Sequence, residues 1–166
     1  MVAHARGAAW LAVAMAAAAV AGCSPKEPDR TLEDIEVSDA YAVEPVSSEV
    51  TAVYLTIRNH GTVPDTLLGA RTPIAAMVSL HRMGGLGGAV MRAQAGAEVP
   101  AGGQLQLRPG GLHLMLMNLA SLPHAGDTVD ITVEMRRAGA IALRVPVVSY
   151  LEAGERAAVG GPDDNR

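Results

Sequence analysis

The sequence predicts an all-β domain, an antiparallel sandwich or barrel of Greek-key type with about eight or nine strands and no helix. Three observations carry that reading. Apolar and polar residues alternate along one run after another, as they do when a strand buries one face and wets the other. Clusters rich in the chain's 18 Gly and 10 Pro separate these runs at strand-like intervals. Phe is absent and the single Trp, Trp10, lies in an apolar leader, so the core must be built from Val, Leu, Ile, Ala, Met and three Tyr.

The leader comes first. Arg6 gives a short basic start, and Ala8 to Ala21 is almost purely apolar but too short for a comfortable membrane span. It ends in Val20-Ala21-Gly22-Cys23, which resembles the lipobox of bacterial lipoproteins. Residues 1–22 then read as a lipoprotein signal peptide and Cys23 as the lipidated first residue of the mature chain. Residues 23–33 follow as a polar, proline-containing tether (SPKEPDRTLE after the cysteine), and the folded domain is expected over 34–149.

Within that domain the runs are explicit. In TAVYLTIRN, Val53, Leu55 and Ile57 share a face; in GQLQLRPG, Leu105 and Leu107 alternate with Gln104, Gln106 and Arg108. TVDITVEM sets Val129, Ile131, Val133 and Met135 against Asp130, Thr132 and Glu134, and IALRVPVV repeats the pattern with Pro146 at an edge or strand end. The segments NHGTVPD, GGLGG, PAGG, RPGG and PHAGD are the turns between them. From Leu151 onward alternation is lost and Gly, Pro and charge accumulate, so residues 150–166 are expected to form a disordered tail.

Composition removes several functions. Cys23 is the only cysteine, so disulfides, thiolate zinc sites and a cysteine nucleophile are excluded from the domain. The net charge is −4, and −5 once Arg6 leaves with the leader, with no basic stripe, so nucleic acid is not an expected partner. Neither G-x-S-x-G nor H-E-x-x-H occurs, no paired acids flank a histidine, and no enzyme activity is expected.

The histidines differ by context. His60 and His124 sit in turns and read as solvated; His81 and His113 lie in strand-like runs, each with a methionine two residues on, Met83 and Met115. In MVSLHRM the period of two puts Met77, Ser79, His81 and Met83 on one face; in LHLMLMNL it puts His113, Met115 and Met117 opposite Leu112, Leu114 and Leu116. A third run, GGAVMRAQ, presents Met91. Any one methionine reads as core filler in a chain without Phe. Two histidines in a core, however, would each need a buried hydrogen-bond partner. Thioethers and imidazoles without carboxylate or thiolate suit Cu(I) better than Zn(II), Mg or Ca, and a blue-copper centre would need a thiolate.

The run from Val53 to Leu119 resembles the PCu(A)C-type periplasmic copper chaperones. His81 is followed after nine residues by Met91, and Met91 after twenty-one by His113-Leu114-Met115, close to that family's spacing; AVYLTIRNHG, PAGGQLQLRPGGLHLMLMNL and AGDTVDITVEM resemble its flanking segments. Arg82 stands where the family commonly has an acid, and Tyr41 where it usually has Trp. The resemblance implies a cupredoxin-like Greek-key β-sandwich. It also implies a surface copper site of His81, Met91, His113 and Met115, with Met83 as an additional candidate ligand and Met117 in packing. The cargo would be Cu(I), with Cu(II) left open. The implied partners are cytochrome c oxidase subunit II, at its CuA centre, or a thiol-containing assembly factor. The implied location is extracytoplasmic, lipid-anchored through Cys23 on the periplasmic or outer face of a bacterial membrane. The competing reading is a metal-free structural or adhesion lipoprotein.

Overall fold

A computed structural model describes residues 34–84 and 90–159, so the leader, Cys23, the tether and residues 160–166 lie outside the described residues. The described chain forms β1 (Ile35–Val43), β2 (Val50–Asn59), β3 (Asp65–Arg71), β4 (Ala75–Gly84), β5 (Val90–Gln94), β6 (Ala97–Val99), β7 (Gln104–Leu107), β8 (Leu112–Leu119), β9 (Thr128–Met135), β10 (Gly139–Val148) and α1 (Tyr150–Val159). No described helix is long and apolar enough to cross a membrane.

The strand order runs β5-β4-β8-β2-β1-β10-β9-β3-β6, with β7 also beside β2. Strand β2 serves two neighbours on one edge: Val50 to Val53 pair with β8, and Leu55 to Arg58 pair with β7. Strand β10 pairs with β9 from Gly139 to Pro146 and then, at Val147 and Val148, runs parallel to β1, which carries the chain from one half of the fold to the other. The core lies between the halves, where Val53, Leu55, Leu80, Leu114 and Leu116 meet Ile131, Val133 and Val145. Burial alternates as the sequence requires: Val129, Ile131, Val133 and Met135 of β9 are all inside, while Asp130 and Glu134 face solvent.

The all-β expectation holds, with ten strands in place of eight or nine. The difference lies in GGAVMRAQAGAEV, where β5 and β6 nearly abut. β5 shows no alternation of burial, because Val90 to Ala93 are all exposed on the outermost strand of the order.

The tail is the second correction. Residues 150–159 form a helix where a disordered segment was expected. Ser149 caps it, its Oγ accepting from the Glu152 N–H at 3.2 Å, and Ser149-x-x-Glu152 has the spacing of a capping box. Ala153 packs on Tyr41 and Val148, and the Arg156 guanidinium lies 5.0 Å from the centre of the Tyr41 ring. Among its described side chains only the small Ala153 is buried, and Tyr150 and Leu151 are mostly exposed.

Candidate metal centre

The site is assembled by strand register. Strands β4 and β8 pair antiparallel with Leu80 opposite Leu114 and Val78 opposite Leu116, rungs whose side chains point into the core. The intervening rungs point outward, and they set His81 opposite His113, Ser79 opposite Met115 and Met77 opposite Met117. Strand β5 adds Met91 opposite Met83. Burial of the leucines therefore fixes the outward row, since a one-residue slip would move every leucine out of the core.

The two imidazoles face each other with ring centroids 6.1 Å apart and planes inclined by 30°. His113 is 5% exposed, and its Nδ1–H donates to the Gly111 carbonyl at 3.1 Å, which leaves the Nε2 lone pair free for a ligand. The same carbonyl accepts the Met83 N–H at 3.1 Å, so one oxygen ties β4 to the start of β8. It is held by the turn Arg108-Pro109-Gly110-Gly111, closed by the Gly111 N–H donating to Arg108 O at 3.0 Å and the Arg108 N–H donating to Leu112 O at 2.7 Å. Gly110 has a φ of +75°, a conformation that glycine adopts without strain.

Burial lowers the His113 pKa from its ordinary value; the Gly111 hydrogen bond opposes this shift and the neighbouring His81 adds to it. His113 is therefore neutral at neutral pH. His81 is half-buried, with Nε2 at 2.7 Å from Ser79 Oγ. With Nε2–H donating to that hydroxyl, the lone pair of Nδ1 is left buried and, among the described residues, without a partner. An unpaired buried nitrogen beside a second imidazole is the feature that a bound metal would relieve.

Met83, Met91, His113 and Met115 line one open groove of about 500 Å³, together with Val43–Val46, Val50, Thr51, Ala52, Tyr54, Gly110 and Tyr150. His81 stands beside it, across the strand pair from His113. Met91 is 46% exposed, whereas Met83 and Met115 are half-buried. Met117 also faces outward on β8, at the rim and not in the core. Among the described residues no group of three or more His, Cys, Asp or Glu gathers to hold a metal, so this donor set is one of imidazoles and thioethers. Glu44 at the groove's rim already contacts His124 Nδ1 at 3.1 Å, and the other turn histidine, His60, contacts Glu36 at 2.9 Å.

The sequence reading had not singled out Tyr54. Its ring lies 6.3 Å from that of His113 and 5.2 Å from that of Tyr41, and burial pushes its phenol up to about 12, so it stays neutral beside the site. The signal was available, because the period that sends Val53 and Leu55 inward sends Tyr54 to the outer face. Behind the site, Arg82 and Arg92 lie directly opposite each other on β4 and β5, both exposed.

A β-sandwich presenting this face is a domain of the PCuAC type. It is similar to the copper-bound PCuAC domain from PmoF2, at 18% identity and a TM-score of 0.62 over 70% of this chain and 93% of that one. It is also similar to the solution structure of CuI-DR1885 from Deinococcus radiodurans, at 31% identity and a TM-score of 0.55 over 70% of this chain and 78% of that one. Within that class the chain belongs to the LpqE-like lipoprotein family, whose model matches residues 35–147. The lipoprotein Lxx21020 of Leifsonia xyli subsp. xyli is 31% identical over 134 residues, 80% of each chain.

Proposed function

We propose that the protein is an extracytoplasmic Cu(I) carrier, anchored through a lipid on Cys23, that passes copper to an acceptor by ligand exchange and catalyses no covalent reaction. The observation that carries this reading is the register of His81 opposite His113 with Met115 and Met91 on adjoining rungs, a neutral, soft set suited to Cu(I). The likeness to a structure described as copper-bound and to another described as CuI-DR1885 supports the same cargo.

In this reading His81, Met91, His113 and Met115 hold the ion, and Met83, which lines the same groove, is a fifth donor that can replace one of them during transfer. His113 is the fixed ligand, because the Gly111 carbonyl sets its tautomer and direction. Met91, on the outermost strand and nearly half exposed, is the ligand that an incoming donor displaces first. Acceptors that fit are proteins offering thiolates or histidines to Cu(I), which include the CuA centre of cytochrome c oxidase subunit II and a thiol-containing assembly factor. Cu(II), a harder ion, would bind more weakly to a set with two thioethers.

The test is a Cu(I) titration of the chain from Ser24 to Arg166, which contains every described strand. It is run under reductant against a competing chelator, beside a His113→Ala/Met115→Ala variant checked for folding by thermal melt. Wild type should bind tightly, gain thermal stability with excess Cu(I), and lose both properties in the variant. Equally weak binding by both proteins would defeat the proposal and leave the face as a metal-free protein-binding surface.

A further inference from the structure

The outward row does not end at the two histidines. Two rungs further along the same strand pair, Met77 of β4 lies directly opposite Met117 of β8, and Met115 lies on the rung between, opposite Ser79. Directly opposed residues on one face have Cβ atoms about 5 Å apart, within the span over which two flexible methionine side chains bring their sulfurs onto one ion. Four residues of strand, about 13 Å, separate this rung from the His81–His113 rung, so the two pairs sit at different points along the row. Met115 is one rung, about 7 Å, from each.

Packing does not account for the pair. Met77 is 52% exposed although it stands on a strand whose other face carries the buried Leu80. Met117 is half-buried and has Val50, 37% exposed, as its neighbour on β2. An exposed thioether on a strand gains little from burial where a Thr or a charged residue would serve. The donors on these rungs are thioethers beside the Ser79 hydroxyl, a hard oxygen already bonded to His81 and poorly matched to Cu(I).

We propose that Met77 and Met117 form a second Cu(I) site of lower affinity than the histidine site, with Met115 on the rung between the two sites as the donor that takes up the ion when the histidine site is empty. The second site is a loading station from which the ion moves along β8 by exchange at Met115. Thioethers without imidazole select a soft monovalent ion and hold it weakly, which suits a position that must release its cargo. The identity of the cargo rests on the Cu(I) reading of the histidine site; the location and donor set of the second site do not.

The experiment uses three proteins spanning Ser24 to Arg166: wild type, Met77→Leu/Met117→Leu, and His113→Ala/Met91→Leu. Leucine keeps the volume and removes the sulfur. Each is titrated with Cu(I) against chelators of graded affinity, and methionine methyl resonances are followed with Ag(I) as a diamagnetic probe. Wild type should take two equivalents, the second held at least about tenfold more weakly, with the Met77 and Met117 methyls shifting only with the second. Met77→Leu/Met117→Leu should keep the tight equivalent and lose the weak one; His113→Ala/Met91→Leu should do the reverse. A weak equivalent that survives Met77→Leu/Met117→Leu, or a wild type that takes a single equivalent with the Met77 and Met117 methyls unmoved, overturns the second site. Loss of the tight equivalent from wild type would instead overturn the carrier reading, so the two failures are distinguishable.

Discussion

The division of β8 into a supporting face and a donor face can be tested by replacing one residue from each. Leu114 is fully buried, with Leu80 opposite it on β4 and Val53 on β2, both also buried. Leu114→Ala removes three carbon atoms, worth about 2.5 kcal/mol in transfer, and the cavity left between two strands that cannot close independently brings the cost to about 3–4 kcal/mol. For a domain of this size that is roughly a 10–20 °C fall in Tm. Met117→Ala, on the outer face with one side open to solvent, should cost about 1 kcal/mol. Because the only Trp lies in the leader, urea unfolding is followed by far-UV circular dichroism or tyrosine fluorescence. Below its unfolding transition, Leu114→Ala should still bind Cu(I) at the histidine site. If Leu114→Ala costs under about 1.5 kcal/mol, or Met117→Ala costs as much as it does, the leucines do not set the register and the site is not explained by it.

Two further outcomes follow from the same geometry. Burial lowers the His113 pKa, so the unfolded chain binds the extra proton more readily. This contribution to apo-protein stability is complete above the unfolded value near 6.5 and is lost as pH falls from there to the lowered folded value, at about 1.4 kcal/mol per unit of depression. Urea midpoints on either side of 6.5 should show the fall in wild type and a flatter profile in His113→Gln; identical profiles would contradict the assignment. Arg82→Glu converts a directly opposed like-charge pair with Arg92 into an attractive one, which should raise stability by about 0.5 kcal/mol in low salt and lose the gain in about 1 M salt.

The faces of single strands were legible because side-chain direction has a period of two, a local property. It placed His113 and Met115 opposite three leucines, and Ser79, His81 and Met83 opposite Val78 and Leu80, with no knowledge of the neighbouring strands. Register is non-local, and no pattern within β4 or β8 says that Met77 meets Met117; the period of two already sets Met117 on the face of His113 and Met115, and what it cannot give is the partner across the strand pair. Met91 stands out as the donor in GGAVMRAQ, but its place among the ligands comes from family spacing, since Val90 to Ala93 are all exposed and show no alternation of burial. The helix was missed because the one side chain described as buried in it, Ala153, is small and adds little to an apolar pattern, although Ser149-x-x-Glu152 marked its start. Tyr54 lay in a run read for its inward Val53 and Leu55, so its outward neighbour went unweighed.

The arrangement separates what must stay fixed from what must let go. The inward leucines of β8 and the Gly111 carbonyl hold His113 in one orientation, so the end of the proposed site nearest the centre of the sheet is rigid before any ion arrives. Rigidity there lowers the ordering cost of binding. The other end is built differently, since β5 ends the strand order and carries Met91 on a run exposed from Val90 to Ala93. A ligand on such a strand is open to an incoming thiolate or imidazole without any rearrangement of the core. A site buried symmetrically between the two halves would bind as well and release too slowly for a carrier. In the proposed carrier, placing the imidazoles toward the middle of the sheet and the Met91 thioether at its edge would give transfer a direction, with Met91 released first and His113 last.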